Sequence, residues 1–255
     1  EKQKVYVQGV ARRDADFNLD LVRNLDLLQN IIEKNKYDVI INTVALVNLK
    51  ECQENPYIAY LVNTYVAGEL SRICDKLNIY FIQISTDHYY EGDLDLLHNE
   101  NDAVLLLNEY AKTKYLAEKL VEVYPNTLIV RTNIVGYRQS ENLTFTEWIV
   151  NSLVNDKKII GYTDMYTSSI DVDSFSKILY NLIEERAKGL INVSADGVLS
   201  KFEFIQLFAQ KLGKAHLVES GQLNQVNVKR GNSLGLSIMK LKSMYPYIEV
   251  PTVYE

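Results

Sequence analysis

Segments with helical periodicity alternate along this chain with short apolar runs. Leu21, Leu25, Leu28 and Ile32 recur at intervals of three and four residues, which predicts an amphipathic helix. The run YDVIINTVA at residues 37–45 is almost continuously apolar, which is typical of a parallel strand covered on both faces. The first part of the chain therefore has the pattern of β-α-β units.

The same criteria predict the other elements. Strands are expected over residues 5–10, 37–45, 79–84, 127–131, 157–160 and 189–193, and helices over 19–34, 56–78, 108–124, 144–154, 171–185 and 201–212, followed by an irregular tail. This order predicts an α/β fold with a Rossmann-like doubly wound parallel sheet, whose ligands bind at the carboxyl ends of the strands. Because the alternation weakens beyond Gly136, we expect a dinucleotide-binding domain at 1–136 and a smaller α/β substrate lobe at 137–255, interleaved in space.

Composition narrows the class of protein. A net charge of −6 over 255 residues argues against nucleic-acid or anionic-membrane partners, and no apolar run approaches the ~20 residues of a spanning helix. The first residues lead directly into the first expected strand, so we expect no secretory signal. The two cysteines, Cys52 and Cys74, indicate reduced core residues of a cytoplasmic protein, and the three histidines lack metal-ligand spacing.

The candidate chemistry centres on Tyr110 and Lys114, four residues apart, with Ser85-Thr86-Asp87 at the end of the preceding expected strand. A hydroxyl donor at a strand end and a Tyr/Lys pair one helical turn apart suit carbonyl reduction by a nicotinamide. The spacing also occurs at Tyr115 and Lys119, which would lie ~140° around the same helix. Only one pair can face the pocket, and Thr86 favours the first. An ordinary pair on a helix surface is the alternative.

Five segments carry a resemblance to a known family. They are YDVIINTVA, ENPYIAYLVNTYVAGELSRICDKL, FIQISTDHYYEGD, NEYAKTKYLAEKLV and LIVRTNIVG. Their succession resembles the extended short-chain dehydrogenase/reductase family and is most similar to the dTDP-4-dehydrorhamnose reductase group. That group typically has I-S-T-D-Y-V-F-x-G where this chain has ISTDHYYEG, and R-T-S-W-V-Y-G where it has RTNIVGY. The resemblance runs from Val5 to Lys242, with a weaker match at KRGNS, residues 229–233.

The resemblance implies NADPH-dependent reduction of a nucleotide-activated 4-keto-deoxysugar, with NADH as the other candidate cofactor. The ketone oxygen gains negative charge as hydride arrives, so hydrogen-bond donors must converge on it. Tyr110 would donate the proton and Thr86 a second hydrogen bond. Lys114 is expected to lower the pKa of Tyr110 and to hold the nicotinamide ribose.

Cofactor contacts follow from the same resemblance. It implies that Thr43-Val44-Ala45 line the ribose and pyrophosphate, that Asp20-Leu21 lie beside the adenine, and that Asn63 lies near the strand ends. Small residues for close packing, and a satisfied core amide, are the alternatives for Thr43-Val44-Ala45 and for Asn63. Arg12 and Arg13 follow the first expected strand, where arginine favours the 2′-phosphate of NADPH, although a solvated basic turn would look the same.

Substrate contacts are expected from Val47, Asp87, His88 and Asn133. Asn133-Ile134 replace the Ser-Trp of the resembling group, which leaves the identity of the deoxysugar open. His88 begins the His-Tyr-Tyr that replaces Tyr-Val-Phe, and a lone histidine at a strand end is more often structural.

The glycine-rich G-x-x-G-x-x-G turn of the family does not occur in this sequence, where Gly9 stands alone. We expect the first β-α unit, which carries that turn, to be missing from the chain as given. The absence also leaves open a non-catalytic dinucleotide-binding regulatory subunit. A nucleotide-sugar epimerase or dehydratase is a third reading. The resembling group allows a homodimer.

Overall fold

The computed structural model of the chain describes residues 5–138, 143–223 and 228–255. Its strands are β1 (Val10–Ala11), β2 (Phe17–Asn18), β3 (Val39–Asn42), β4 (Tyr80–Ile84), β5 (Thr127–Arg131), β6 (Ile134–Val135), β7 (Ile159–Tyr162), β8 (Tyr166–Thr167), β9 (Ile170–Asp171), β10 (Gly189–Asn192), β11 (Leu199–Ser200), β12 (Val218–Gly221) and β13 (Ser233–Leu234). Its α-helices are α1 (Leu25–Asn35), α2 (Leu49–Glu54), α3 (Pro56–Tyr60), α4 (Val66–Lys76), α5 (Glu109–Val121), α6 (Phe145–Val154), α7 (Val172–Glu184), α8 (Lys201–Lys211) and α9 (Met239–Met244).

The central element is a four-stranded sheet in the order β10-β5-β4-β3, with every neighbouring pair parallel. Ile82 at its middle is paired with Ile41 on β3 and Leu128 on β5. The apolar runs found in the sequence form these strands because parallel strands are covered on both faces. The α/β fold class is confirmed.

Each face of the sheet packs against its own set of helices. On one face, Ile178 and Leu182 of α7 pack with Tyr80 and Val130. The opposite face buries apolar residues of α1, α4 and α5, namely Leu28, Ile32, Leu70, Ile73, Ala117 and Val121. The spacing of Leu28 and Ile32 thus produces the buried stripe that periodicity predicted, and the sheet is doubly wound.

A smaller cluster unites α6, α8, β7 and β12 from the second half of the chain. Both helices begin with a capping box, formed by Thr144 with Glu147 and by Ser200 with Glu203. Gly161 on β7 allows α8 to pack closely, since a Cβ there would lie 2.6 Å from the Cα of Phe202. The second half also supplies β10 to the central sheet, beside β5.

The N-terminal prediction was wrong in part. The strand expected over residues 5–10 is reduced to β1, which pairs in parallel with β2. Val5, Tyr6 and Val7 are exposed, because no neighbouring strand among the residues described offers them a hydrogen-bonding ladder. The helix expected from residue 19 begins at Leu25, because the backbone of Asp20 accepts hydrogen bonds from Arg23 and Asn24 in a turn.

The strand expected over residues 37–45 is limited to β3. It ends at Asn42 because the side chain of that residue accepts a hydrogen bond from the backbone N–H of Val44. The long helix expected over 56–78 is divided into α3, a π-helix at Leu61–Tyr65, and α4. Such π segments are rare and often occur at functional sites.

The tail was wrongly expected to be irregular. It contains a 3-10 turn (Ala215–Leu217), β12, β13 and α9. The short strands β2, β6, β8, β9 and β11 were not predicted either, because two-residue strands carry no measurable periodicity. Within the ranges described, no helix combines the length and the apolar character needed to cross a membrane.

Replacement of Ile82 tests the buried sheet. Ile82 is fully buried, so Ile82→Ala should lower the free energy of unfolding by about 2–5 kcal/mol through lost burial and the cavity left behind. The matched control is Ile58→Ala on α3, because Ile58 is 47% exposed and its replacement should change stability by less than about 1 kcal/mol. Urea unfolding measures both, and equal losses would contradict the assignment of the core.

Candidate active site

The candidate site begins where β4 ends at Ile84. The backbone N–H of Ser85 donates to the carbonyl of Val130 at 2.7 Å, which holds the chain against β5 for one residue beyond the strand. Thr86 follows, almost completely buried, and its hydroxyl lies near enough to the phenol of Tyr110 to lower the pKa of that phenol. The two hydroxyls predicted to act on one carbonyl oxygen therefore meet at the carboxyl end of a central strand.

Asn108 sets the start of α5 and hence the position of Tyr110. Its side-chain oxygen accepts from the backbone N–H of Ala111 at 2.9 Å, and its amide donates to the carbonyl of Lys229 at 2.9 Å. Tyr110 consequently lies in the first turn of α5, and Lys114 follows one turn later. The ammonium of Lys114 donates to the carbonyl of Ile84 at 2.6 Å, so it lies at the same strand end.

The expectation that Lys114 lowers the pKa of Tyr110 was wrong. Burial raises the pKa of Tyr110 to about 12, although the nearby Thr86 hydroxyl lowers it in part. Burial also lowers the pKa of Lys114 to about 8. Both shifts have one physical cause, which is that the charged form of each group is poorly solvated at this depth.

Asn63 lies in the π-helix and holds the loop after β3. Its side-chain oxygen accepts from the backbone N–H of Leu46 at 2.6 Å, and its amide donates to the carbonyl of Leu46 at 3.1 Å and to the hydroxyl of Thr113 at 3.0 Å. Both polar groups of its amide are therefore used within the protein. The geometry gives Asn63 the satisfied amide that was the alternative to a direct cofactor contact.

The other expected cofactor residues lie around the ends of β1 and β3. Arg12 and Arg13 are exposed and follow β1, and Asp20 accepts a hydrogen bond from the backbone of Val22 at 3.1 Å in the turn before α1. Leu21 packs into the core beneath this turn. Thr43-Val44-Ala45 follow β3, with Thr43 exposed and Val44 packed against the core.

The expected substrate residues converge beside Tyr110, except for Val47, which is exposed on the loop after β3. Asp87 is buried and accepts a hydrogen bond from the amide of Asn133 at 2.6 Å. The ring of His88 contacts that of Tyr110 edge-on, with centroids 5.7 Å apart, and its Nε2 is 3.8 Å from Asp87 Oδ1. Burial raises the pKa of Asp87 and lowers that of His88.

A cavity of about 470 Å³ extends from His88 and Asn133 into the second half of the chain. Phe145 and Trp148 of α6 lie on its wall, as do Lys201 and Arg230, which the sequence interpretation missed. The ammonium of Lys201 lies 4.7 Å from the ring centroid of Phe145, and neither cation forms an ion pair in the described ranges. Arg230 lies within the weaker KRGNS match, so the sequence did carry a signal for it. No motif in the sequence marked Lys201, Phe145 or Trp148.

The pair Tyr115 and Lys119 lies elsewhere, as expected for a structural pair. Lys119 pairs with the exposed carboxylate of Glu122 at 3.0 Å, and its ammonium lies 5.1 Å from the ring centroid of Tyr115. In the part of the chain that the structure describes, no cluster of histidine, cysteine or acidic residues could hold a metal ion.

The family model for the RmlD substrate binding domain matches residues 1–243. The chain belongs to the RmlD substrate-binding-domain family. Among its curated relatives, a probable low-salt glycan biosynthesis reductase (Agl14) of Haloferax volcanii is 26% identical to this chain over 204 residues. The match covers 78% of this chain and 68% of the relative. The dTDP-4-dehydrorhamnose reductase of Salmonella typhimurium is 30% identical over 116 residues, which are 45% of this chain and only 39% of that enzyme.

Solved structures show the same fold as this RmlD-family chain. A dTDP-4-dehydrorhamnose reductase of Clostridium acetobutylicum superposes with a TM-score of 0.84 at 20% identity, over 93% of this chain and 84% of that one. The Bacillus anthracis enzyme, solved in complex with NADP, also gives 0.84 at 20% identity, covering 92% and 84% of the two chains. The Rossmann-like architecture derived above is thus that of these reductases.

The burial of Lys114 generates a prediction about stability and pH. Its ammonium is desolvated in the folded protein and hydrated in the unfolded chain, so Lys114→Met should raise the free energy of unfolding by roughly 1–3 kcal/mol at pH 7. The gain should shrink as the pH rises from about 8 toward 10.5, where lysine loses its charge in the unfolded chain too. Urea unfolding at several pH values measures it.

Lys119→Met is the matched control on the same helix, because it removes an exposed ion pair and should cost at most about 1 kcal/mol. Destabilisation of Lys114→Met at pH 7 would contradict the desolvation argument.

Proposed function

We propose that the protein catalyses the NADPH-dependent reduction of a nucleotide-activated 4-keto-deoxysugar to the 4-hydroxy sugar, in the cytoplasm. The observation that carries this proposal is the convergence of the buried Thr86 and Tyr110 hydroxyls and the Lys114 ammonium at one strand end. Its relatives named as dTDP-4-dehydrorhamnose reductases support the substrate class. A non-catalytic subunit would have no use for converging donors held in this geometry.

The residues present fit two parts of NADPH. Arg12 and Arg13 are exposed at the end of β1 without a carboxylate partner among the residues described, which suits a 2′-phosphate. Lys114 donates to a carbonyl at the end of β4, from where it would reach the nicotinamide ribose. When bound, NADPH supplies the hydride.

Tyr110 donates the proton. Because burial raises its pKa to about 12, the phenol keeps its proton at neutral pH. An alkoxide is a stronger base than a phenolate, so the proton moves from the Tyr110 hydroxyl to the oxygen that develops negative charge. The Thr86 hydroxyl donates to the same oxygen, and the Lys114 ammonium would hold the nicotinamide ribose beside it.

The cavity suits an anionic, aromatic ligand attached to the sugar. Lys201 and Arg230 lie on its wall, and neither forms an ion pair with a carboxylate of the described residues. The Nε of Arg230 is buried and has no hydrogen-bond partner among those residues. Two such cations match a diphosphate, and Phe145 and Trp148, which stack with centroids 5.9 Å apart, offer a surface for a base. With the diphosphate on these cations, the sugar would lie next to His88 and Asn133, beside Tyr110.

Replacement of Tyr110 tests the assignment of the acid. Tyr110→Phe keeps the ring but removes the proton, so kcat for NADPH oxidation with a dTDP-4-keto-6-deoxysugar should fall by about 10²–10⁴-fold. Absorbance at the nicotinamide band measures the rate. Tyr115→Phe is the control from the second Tyr/Lys pair and should leave kcat unchanged. Wild-type activity in Tyr110→Phe would refute the role given to Tyr110.

Replacement of Lys201 tests the diphosphate contact. Lys201→Gln removes a cation that this proposal places on the diphosphate, so KM for the nucleotide sugar should rise by about 10- to 100-fold while KM for NADPH stays constant. Lys229→Gln is the control, because Lys229 is exposed and paired with Glu91 at 3.0 Å. An unchanged KM for the nucleotide sugar in Lys201→Gln would show that the substrate does not bind at Lys201.

A further inference from the structure

Helix α5 presents Tyr110, Lys114 and Glu118 on one face, since each follows the last by four residues. Tyr110 and Lys114 take part in the proposed reduction, whereas nothing in that reaction uses Glu118. Yet Glu118 is only 2% exposed, and acidic side chains are seldom buried without partners. The hydrogen bonds that its carboxylate accepts therefore indicate what Glu118 does in the site.

One oxygen of that carboxylate accepts three hydrogen bonds. The hydroxyl of Ser85 donates to Oε1 at 2.5 Å, and the hydroxyl of Tyr89 donates to it at 3.1 Å. Arg131 donates to Oε1 through Nε at 3.1 Å and to Oε2 through Nη2 at 2.8 Å. Ser85 and Tyr89 lie at the two ends of the Thr86-Asp87-His88 segment, so a single oxygen on α5 holds that segment from both sides.

Arg131 makes the arrangement rigid. It projects from β5, its Nη1 donates to the hydroxyl of Tyr90 at 3.1 Å, and its guanidinium lies 4.9 Å from the ring centroid of Tyr89. Both members of the Arg131–Glu118 pair are buried, so each leaves an uncompensated charge if the other is removed. The pair thus joins α5, β5 and the loop after β4 at one point.

We propose that Glu118 is a positioning residue of this site: through Ser85 and Tyr89 it holds the Thr86 hydroxyl against the Tyr110 hydroxyl, and it faces the Lys114 ammonium from one turn further along α5. This inference rests on the proposed reduction, for which the distance between the two hydroxyls decides whether both reach one carbonyl oxygen. Glu118 also acts on Lys114 electrostatically. Burial lowers the pKa of Lys114, and the Glu118 carboxylate opposes that shift.

Other titratable groups surround the stripe formed by Tyr110, Lys114 and Glu118. They are Cys52 from α2, Asp87, His88, Tyr89 and Tyr90 from the loop after β4, and Arg131 from β5. Among these groups, Glu118 alone raises the pKa of Lys114. Removal of its charge should therefore lower that pKa, and the high-pH limb of the rate, where Lys114 loses its proton, should move to lower pH.

Glu118→Gln tests both effects in one variant. We expect kcat to fall by about 10- to 100-fold, KM for NADPH and for the nucleotide sugar to change little, and the high-pH limb of kcat to move to lower pH. Glu122→Gln is the matched control, because it removes an exposed carboxylate four residues further on, at the C-terminal cap of α5, and should leave kcat and the pH profile unchanged. A purely structural role would reduce the folded fraction without moving the limb, and that result would overturn the proposal.

Tyr89→Phe combined with Ser85→Ala removes two of the hydrogen bonds to Glu118 but keeps the Arg131–Glu118 charges paired. This double variant decides the positioning role if Glu118→Gln fails to fold. We expect a lower kcat with the high-pH limb where the wild type has it. Wild-type kcat in the folded double variant would overturn the proposal.

Titration of the Lys114 side chain by NMR measures the pKa of Lys114 without any need for catalytic turnover. Protein carrying isotope-labelled lysine, with the Lys114 signal assigned from Lys114→Met, should show a lower Lys114 pKa in Glu118→Gln than in the wild type. An unchanged value overturns the inference even if the substrate is correct. Absence of wild-type NADPH oxidation with any 4-keto nucleotide sugar refutes the proposed function instead, and the titration still decides the electrostatic role of Glu118.

Discussion

The buried ion pair between Glu118 and Arg131 is the contact on which the rest of the site depends. It joins the helix that carries Tyr110 and Lys114 to β5, the neighbour of the strand β4 that precedes Thr86. Burial of two charges costs free energy that only good geometry offsets, and here the carboxylate collects donors from a strand end, a loop and a neighbouring strand. The strand end is therefore held by side-chain hydrogen bonds that leave its segment few alternative positions.

Burial also shapes the chemistry of the two groups beside that pair. It disfavours a charged phenol and a charged amine alike, which raises the pKa of Tyr110 and lowers that of Lys114. A neutral phenol with a high pKa suits a group that must give its proton only to a strong base. The buried ammonium is less favourable for stability, and its contact with the carbonyl of Ile84 compensates in part. The protein thus keeps the Lys114 ammonium, which the proposed reduction uses, at a cost in stability.

The chain brings the two sides of the site together from distant positions. His88 and Asn133 belong to loops after the central strands, whereas Lys201 and Arg230 come from the second half of the chain, and all four line one cavity. Gly231 allows the tail to cross the loop after β4, since a Cβ there would lie 2.4 Å from the carbonyl of Tyr90. The neighbouring Arg230 thereby reaches the cavity wall. Asn63 performs a similar task on the other side by holding the loop after β3.

The sequence by itself determined the parallel sheet, its covering helices and the candidate trio of Thr86, Tyr110 and Lys114, because hydrophobic periodicity and motif spacing are local properties. Tertiary structure alone decided the pKa shifts, since burial depends on all the surrounding elements and reversed the effect expected on Tyr110. It also decided the π-helix around Asn63 and the cavity cations Lys201 and Arg230. The partners of Glu118 come from residues 85, 89 and 131, and only folding brings groups so far apart in the chain to one carboxylate.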